Sequence, residues 1–250
     1  MHESVGRKKK GVLTQVTLGL LPMSHIFSLV LLCHTATVRG DEIILLPKFE
    51  LDSFLGAIQR FKIQQLVVVP PIIVRILQEQ EKCRGFDLSS VRFIYSGAAP
   101  LGKETIRDVL RIYPSWEIGQ GYGMTESAVG ISSTGENDVL HMSSGSLLPG
   151  VRAKLVDPEG NEITEVDKPG ELLVQSPGVV LGYLNNERAT METFVFDDEG
   201  RWLRTGDEVL FTRGEGGFEH LVVVDRIKEL IKVKVCFSSS LSICIRSGEC

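Results

Sequence analysis

The chain has 250 residues, 43% hydrophobic and 24% charged, which suits one large or two smaller folds with a proper core. Its 27 basic and 32 acidic side chains leave a net charge of −5, which excludes a broad nucleic-acid face built on clustered lysine and arginine. Small anionic ligands stay open, since a few lysines or helix N-termini can hold them. The cysteines Cys33, Cys83, Cys236, Cys244 and Cys250 are odd in number and contain no CxxC pair. Neither a disulfide framework nor a zinc site is expected, and a reducing compartment, the cytoplasm, is the default.

Residues 1–15 carry no clear pattern. Arg7, Lys8, Lys9 and Lys10 precede an apolar stretch from Val12 to about Val38, an arrangement also found in signal peptides and anchors. Thr14, Gln15, Thr17, Pro22, Ser24, His25 and His34 interrupt it. Its unbroken part, Ile26 to Cys33, is far short of the ~20 residues of a span, so stable membrane insertion is not expected. Val16 to Leu21 reads as a short strand halted by Pro22. Leu51, Phe54, Leu55, Ile58 and Phe61 form one stripe of an amphipathic helix. Leu66 to Val69 is a β-branched run stopped by Pro70-Pro71, a buried strand, with Pro71 in the first turn of a helix reaching about Glu81. Val91 to Tyr95 is a further strand ending at Ser96-Gly97-Ala98-Ala99-Pro100. A helix follows with Ile106, Val109, Leu110 and Tyr113 on one face, and Trp116 to Ile118 makes a third short strand leading into the residues that follow.

Strand, helix, strand, helix, strand with short links predicts a parallel sheet. Ligands of such sheets bind beyond the strands' C-terminal ends, where Ser96–Pro100 and the decamer Ile118–Ser127 (IGQGYGMTES) would lie. The decamer reads either as bare backbone beside Thr125 and Glu126 for a nucleotide and its metal, or as a Gly-rich turn with a helix cap. From about Ser143 the texture becomes β: alternation over 151–155, a turn at Pro158–Asn161, strands at 171–175 and 218–224, and a short helix at 187–194. The expected divisions are 1–15 unassigned, 16–142 an α/β core, 143–224 a β-rich subdomain, 225–234 a hinge, and 235–250 a tail without periodicity.

The motifs YSGAAPLG, GYGMTES, RTGD and VDRIKELIK, in that order, resemble those of the AMP-forming acyl-CoA synthetases, which include the 4-coumarate:CoA ligases and firefly luciferase. The similarity runs from about Val16 to Lys234. It implies an α/β parallel sheet flanked by helices and followed by a smaller β-rich subdomain, a fragment of the family's large N-terminal domain. The implied reaction joins a small carboxylic acid to coenzyme A through an acyl-adenylate, with ATP and Mg2+ and without nucleic acid as partner. By resemblance, Glu126 holds magnesium and Thr125 contacts phosphate. Tyr122 lies against adenine, and the backbone of Gly97, Ala98 and Ala99 runs along its edge. Asp207 accepts the ribose hydroxyls and Arg226 reaches the ribose. His25 stands at the mouth of the acyl pocket, Phe27 shapes it, and Gln120 with Gly121 lines the wall between adenylate and acyl group. Lys228 falls at the family's hinge, and Lys232 matches a lysine placed near the adenylate carbonyl.

Each residue also has a plainer reading. Glu126 suits the first turn of a helix, Asp207 a turn, His25 a satisfied core position, and the KELIK charges a solvated face. The pattern departs from the family at both ends. Only Lys9-Lys10-Gly11-Val12 resembles the end of the family's phosphate loop, and too close to His25. Val235 and Phe237 replace a glycine and a glutamine before CFSSSLSICIRSGEC, as a shifted frame or retained intron near Val235 would produce. The expectation is a fragment impaired as a catalyst. No peroxisomal Ser-Lys-Leu tail stands at Cys250, though a lost native terminus would leave a peroxisomal address open.

Overall fold

A computed structural model describes residues 14–214 and 216–227, with the backbone alone of 230–233 and 236–239. The described residues divide into two units between Leu148 and Pro149.

In the first unit five parallel strands lie in the order β2-β1-β3-β4-β5: β1 (Val16–Gly19), β2 (Glu42–Leu45), β3 (Gln65–Val68), β4 (Phe93–Ser96) and β5 (Glu117–Tyr122). Two short antiparallel strands, β6 (Ser132–Ser133) and β7 (Ser146–Leu147), extend the sheet past β5. Alternation along the central strands sends side chains to two different cores. Leu66, Val68, Ile94 and Ile118 join the buried stripes of helices Leu51–Phe61, Pro70–Gln78 and Lys103–Ile112. Val67, Phe93 and Tyr95 face the other way and pack with Phe27 and Leu32. Both faces are covered, which is why these strands read as unbroken apolar runs.

The helix after β3 begins with Pro70 in its first turn and ends at Gln78, before the expected Glu81. Gln80 explains the early stop: its side-chain Nε2 donates to the Ile76 carbonyl at 2.7 Å, the acceptor its own backbone N–H would use in a continuing helix. A second short helix, Gln80–Cys83, follows.

Between β1 and β2 lies a helical run that periodicity did not predict. One α-turn, Ile26–Ser28, leads into a π-helical stretch, Leu29–Ala36, and a closing turn, Thr37–Arg39. Gly40 ends it at φ +71°, where a Cβ would be strained. Its turns are wider than 3.6 residues and Ser28, His34, Thr35, Thr37 and Arg39 break up its apolar residues, so no 3.6-residue stripe emerges. Among the described residues no helix is long and apolar enough to cross a membrane.

Along the N-terminal ends of the strands runs a buried polar belt. Arg39 pairs with Asp41 at 2.8 Å and reaches Gln65 Oε1 at 3.4 Å. Gln15 donates to Gln65 and accepts from Arg92. Arg92 grips both oxygens of Glu136, at 2.5 and 3.1 Å.

The second unit is an antiparallel sheet in the order β11-β12-β10-β8-β9, with β13 also paired to β12. Its strands are β8 (Arg152–Val156), β9 (Glu162–Ile163), β10 (Gly170–Gln175), β11 (Phe194–Asp197), β12 (Gly200–Arg213) and β13 (Glu219–Arg226). Helix Glu187–Thr193 precedes β11, capped by the Asn186 side chain. β12 takes β11 along residues 200–203 and β13 along 207–213. Its core holds Leu155, Leu172, Val174, Phe194, Trp202, Leu203, Val209 and Leu221. The backbones of β14 (Leu230–Val233) and β15 (Cys236–Ser239) pair antiparallel.

Candidate functional site

Parallel register sets the C-terminal ends of the central strands at one level: Val68 lies beside Ser96, and Ser96 beside Gln120. The loops after β1, β4 and β5 therefore leave from the same edge of the first unit. They carry His25, Gly97–Ala99 and, after Tyr122 at the last position of β5, Gly123–Glu126.

His25 is exposed, so it is not a core histidine. It caps the helical run, its Nδ1 accepting the Phe27 N–H at 3.2 Å. In the neutral ring this leaves the proton on Nε2. Phe27 is buried, its ring stacked on Tyr95 at 6.3 Å between centroids. It fills the space beneath Gly97, where a Cβ would stand 2.7 Å from Phe27 Cε2. The wedge draws the start of this helix, and His25 with it, onto the loop after β4.

That loop turns at Ala98, whose φ of +67° is unusual for a residue with a Cβ. Ala98 and Ala99 are exposed, while Gly97 is buried. The loop after β5 contains two more such residues, Ala128 (φ +51°) and Val129 (φ +80°). Strain of this kind gathers where a backbone is held for a purpose. Between these loops Gln120 is buried in β5, and its Oε1 accepts the Leu101 N–H at 2.8 Å.

Only the end of the decamer is a loop. Residues 118–122 belong to β5, and Thr125–Ser127 form a single 3-10 turn. The glycines have a packing reason. A Cβ on Gly119 would stand 2.5 Å from Phe93 Cζ, and one on Gly121 would stand 2.1 Å from Tyr95 Oη. Two rings of β4 lie across β5, which must be bare beneath them. Gly123 is tighter still, with the Val129 carbonyl oxygen 1.4 Å from its notional Cβ. Tyr95 Oη and Ser133 Oγ share a hydrogen bond of 2.8 Å, tying β4 to β6 across Gly121. Tyr95 and Ser133 were not singled out from sequence. The available signal was paired: aromatics at 93 and 95 against glycines at 119 and 121.

Thr125 is exposed, and Tyr122 and Glu126 are half-buried beside it. Among the described residues no three His, Cys, Asp or Glu side chains gather as a closed metal cage. A single carboxylate is still compatible with magnesium, which takes one or two carboxylates and fills its shell with water and phosphate oxygens.

In the second unit Asp207 and Arg226 are register partners on β12 and β13, the Arg226 Nε donating to Asp207 Oδ1 at 3.1 Å. Asp207 is 5% exposed. Gly206, at φ +73°, and a bulge after Glu208 turn the strand at this point. Thr205 braces it, donating to the Leu172 carbonyl at 2.9 Å and accepting the Asp207 N–H at 3.2 Å. Lys228 lies outside the described residues, as does the side chain of Lys232, whose backbone is in β14.

A cleft of about 310 Å³ opens elsewhere, lined by Leu110, Trp116, Glu117, Glu136 and His141 among others. It lies at the N-terminal end of β5, the edge opposite the candidate loops, so its size does not argue for the chemistry there.

Residues 2–184 match the model of the AMP-binding enzyme family. The chain is 43% identical over 220 residues to "Acyl-CoA ligase AKT1" of Alternaria alternata, covering 88% of this chain and 38% of that protein. It is 42% identical over 220 residues to "Probable CoA ligase CCL5" of Humulus lupulus, covering 86% and 38%. Among solved structures, the amide bond synthetase McbA of Marinactinospora thermotolerans superimposes with a TM-score of 0.73 at 26% identity, covering 92% of this chain and 44% of that one. O-succinylbenzoate coenzyme A synthetase of Bacillus subtilis, in complex with ATP and magnesium ion, gives 0.72 at 26% identity, covering 94% and 46%. The chain thus spans less than half the length of these relatives.

Proposed function

The chain belongs to the AMP-binding enzyme family, and from that premise we propose that it serves the ATP-dependent ligation of a small carboxylic acid to coenzyme A. The carrying observation is the shared edge of the parallel sheet, where β5 ends at Tyr122 and from which the loops with His25, Gly97–Ala99 and Thr125–Glu126 all depart. In the first step a carboxylate oxygen attacks the α-phosphorus of ATP, and the bond to the bridging oxygen breaks as pyrophosphate leaves. In the second a thiol attacks the acyl carbonyl and AMP departs. Both steps depend on positioning and on neutralising charge that grows on oxygen.

Within this reading, the backbone of Gly97, Ala98 and Ala99 meets the adenine edge and Tyr122 its face. The Thr125 hydroxyl donates to phosphate. Magnesium at Glu126 would neutralise phosphate charge, and the half-buried single carboxylate fits that cation's sparse use of protein ligands. Asp207, a two-oxygen acceptor kept in place by Arg226, suits a ribose diol. His25 keeps its Nε2 proton as a donor at the entrance for the acid, Phe27 shapes the pocket, and Gln120 with Gly121 lines the wall between adenylate and acyl group.

The test has two arms. Pyrophosphate exchange with a panel of aryl and fatty acids should rise above background, and ATP with Mg2+ should raise the melting temperature. Glu126→Gln should abolish the magnesium-dependent part of that rise and leave the unliganded melting temperature unchanged. A thermal shift without exchange would reduce the chain to a nucleotide-binding module, and no shift with any nucleotide would sink the reading.

A further inference from the structure

We infer that Gln120 is a positioning residue, which holds the Gly97–Ala99 backbone in the shape that selects adenine; this rests on the nucleotide reading above. Leu101 is 2% exposed and anchored in the main core, so its N–H has no water to turn to and depends on the Gln120 carbonyl oxygen. The segment from Ser96 to Leu101 is thereby gripped at both ends. Gly97 rests on the Phe27 ring, and Leu101 hangs from Gln120. Between them Ala98 is kept at φ +67°, a conformation alanine leaves when released. Gln120 itself cannot shift, because its backbone N–H donates to Thr134 Oγ1 at 3.2 Å and its carbonyl accepts the Thr134 N–H at 2.9 Å. Adenine and hypoxanthine differ at the 6-position, an amino donor against a carbonyl acceptor. A backbone edge of fixed shape separates the two, whereas a loose one adapts to either.

Calorimetric titration of the full chain with AMP and with IMP tests this, using wild type, Gln120→Leu and Gln120→Glu. Glutamate keeps an oxygen where Leu101 needs one, and leucine does not. Gln120→Leu should weaken AMP about tenfold and bring the AMP-to-IMP affinity ratio towards one. Gln120→Glu should hold that ratio within about threefold of wild type. Equal losses for both nucleotides in the leucine variant, or failure of glutamate to restore the ratio, would mean that Gln120 supports only the fold. If wild type binds neither nucleotide, the functional reading fails by itself, and hydrogen exchange decides the positioning. Gln120→Leu must then raise exchange over 97–101 by tenfold or more while β4 is unchanged, and equal exchange overturns the inference. Should the leucine variant not fold, Gln120→Asn, one methylene too short to reach Leu101, replaces it.

Discussion

Replacing Gly121 by alanine puts a methyl carbon 2.1 Å from Tyr95 Oη and 2.8 Å from Tyr95 Cζ, both inside contact distance. The ring has little room to withdraw. It is 8% exposed, stacked against Phe27 at 6.3 Å and Phe93 at 6.4 Å, and its hydroxyl is bonded to Ser133. Overpacking of this kind costs ~1–3 kcal/mol, and a broken Tyr95–Ser133 bond adds ~0.5–1.5 kcal/mol, so Gly121→Ala should destabilise the first unit by about 2–4 kcal/mol. Tyr95→Phe alone should cost about 1 kcal/mol. In the double variant the closest atom is gone, and a ring shift of a few tenths of an ångström accommodates the methyl. The double variant should therefore be less destabilised than the sum by about 1 kcal/mol. Urea denaturation followed by Trp116 fluorescence, in a Trp202→Phe background that removes the only other tryptophan, reports on the first unit. Additivity within ~0.5 kcal/mol, or a Gly121→Ala cost below that figure, would refute the claim that these glycines exist to make room for rings.

Two further outcomes follow from the core of the same unit. Arg92→Ala strands the Glu136 carboxylate, whose side chain is 3% exposed, and should cost about 3–5 kcal/mol in urea denaturation. The paired variant Arg92→Met/Glu136→Leu should recover most of that loss, and a single-variant effect under ~1 kcal/mol would make the pair no stronger than a surface contact. Burial pushes the Tyr113 hydroxyl from its ordinary 10 up to about 12, so the fold favours the protonated phenol. That stabilisation is fully present below pH 10 and is lost as pH rises towards 12. Stability measured between pH 9 and 12 should therefore fall more steeply for wild type than for Tyr113→Phe; parallel curves would remove the burial argument.

What the residues disclosed in advance depended on whether one face or one period dominated. The helix at 51–61 was legible because Leu51, Phe54, Leu55 and Ile58 meet a single core. The β3 and β4 strands were legible as apolar runs because both their faces are buried. The run from Ile26 to Arg39 was not, since its π-turns move the apolar residues off a 3.6-residue stripe. β12 was also hidden: Gly206 looks like a break, and only its neighbours on β10 and β13 keep the strand continuous through it. The glycines of the decamer had the opposite fault. Their sequence suggested exposed backbone for a ligand, yet Gly119 and Gly121 answer to Phe93 and Tyr95 on the neighbouring strand, information that no local window contains. The four ordered motifs disclosed the family, which the relatives bear out, whereas the contacts of individual side chains depend on the fold.

The polar belt below the sheet bears on how the strands find their places. A parallel strand that slips by two residues keeps every apolar side chain on its proper face, so hydrophobic alternation cannot detect that error. Gln15, Gln65 and Arg92 stand at or just before the first residues of β1, β3 and β4. A two-residue slip of any one moves its head group by ~6.6 Å, beyond hydrogen-bond reach of the other two. Arg92 and Glu136 would then be left as separated charges, the Glu136 carboxylate in a position that is 3% exposed. The belt acts as a parity-independent ruler, rejecting the misalignments to which the greasy part of the sheet is blind.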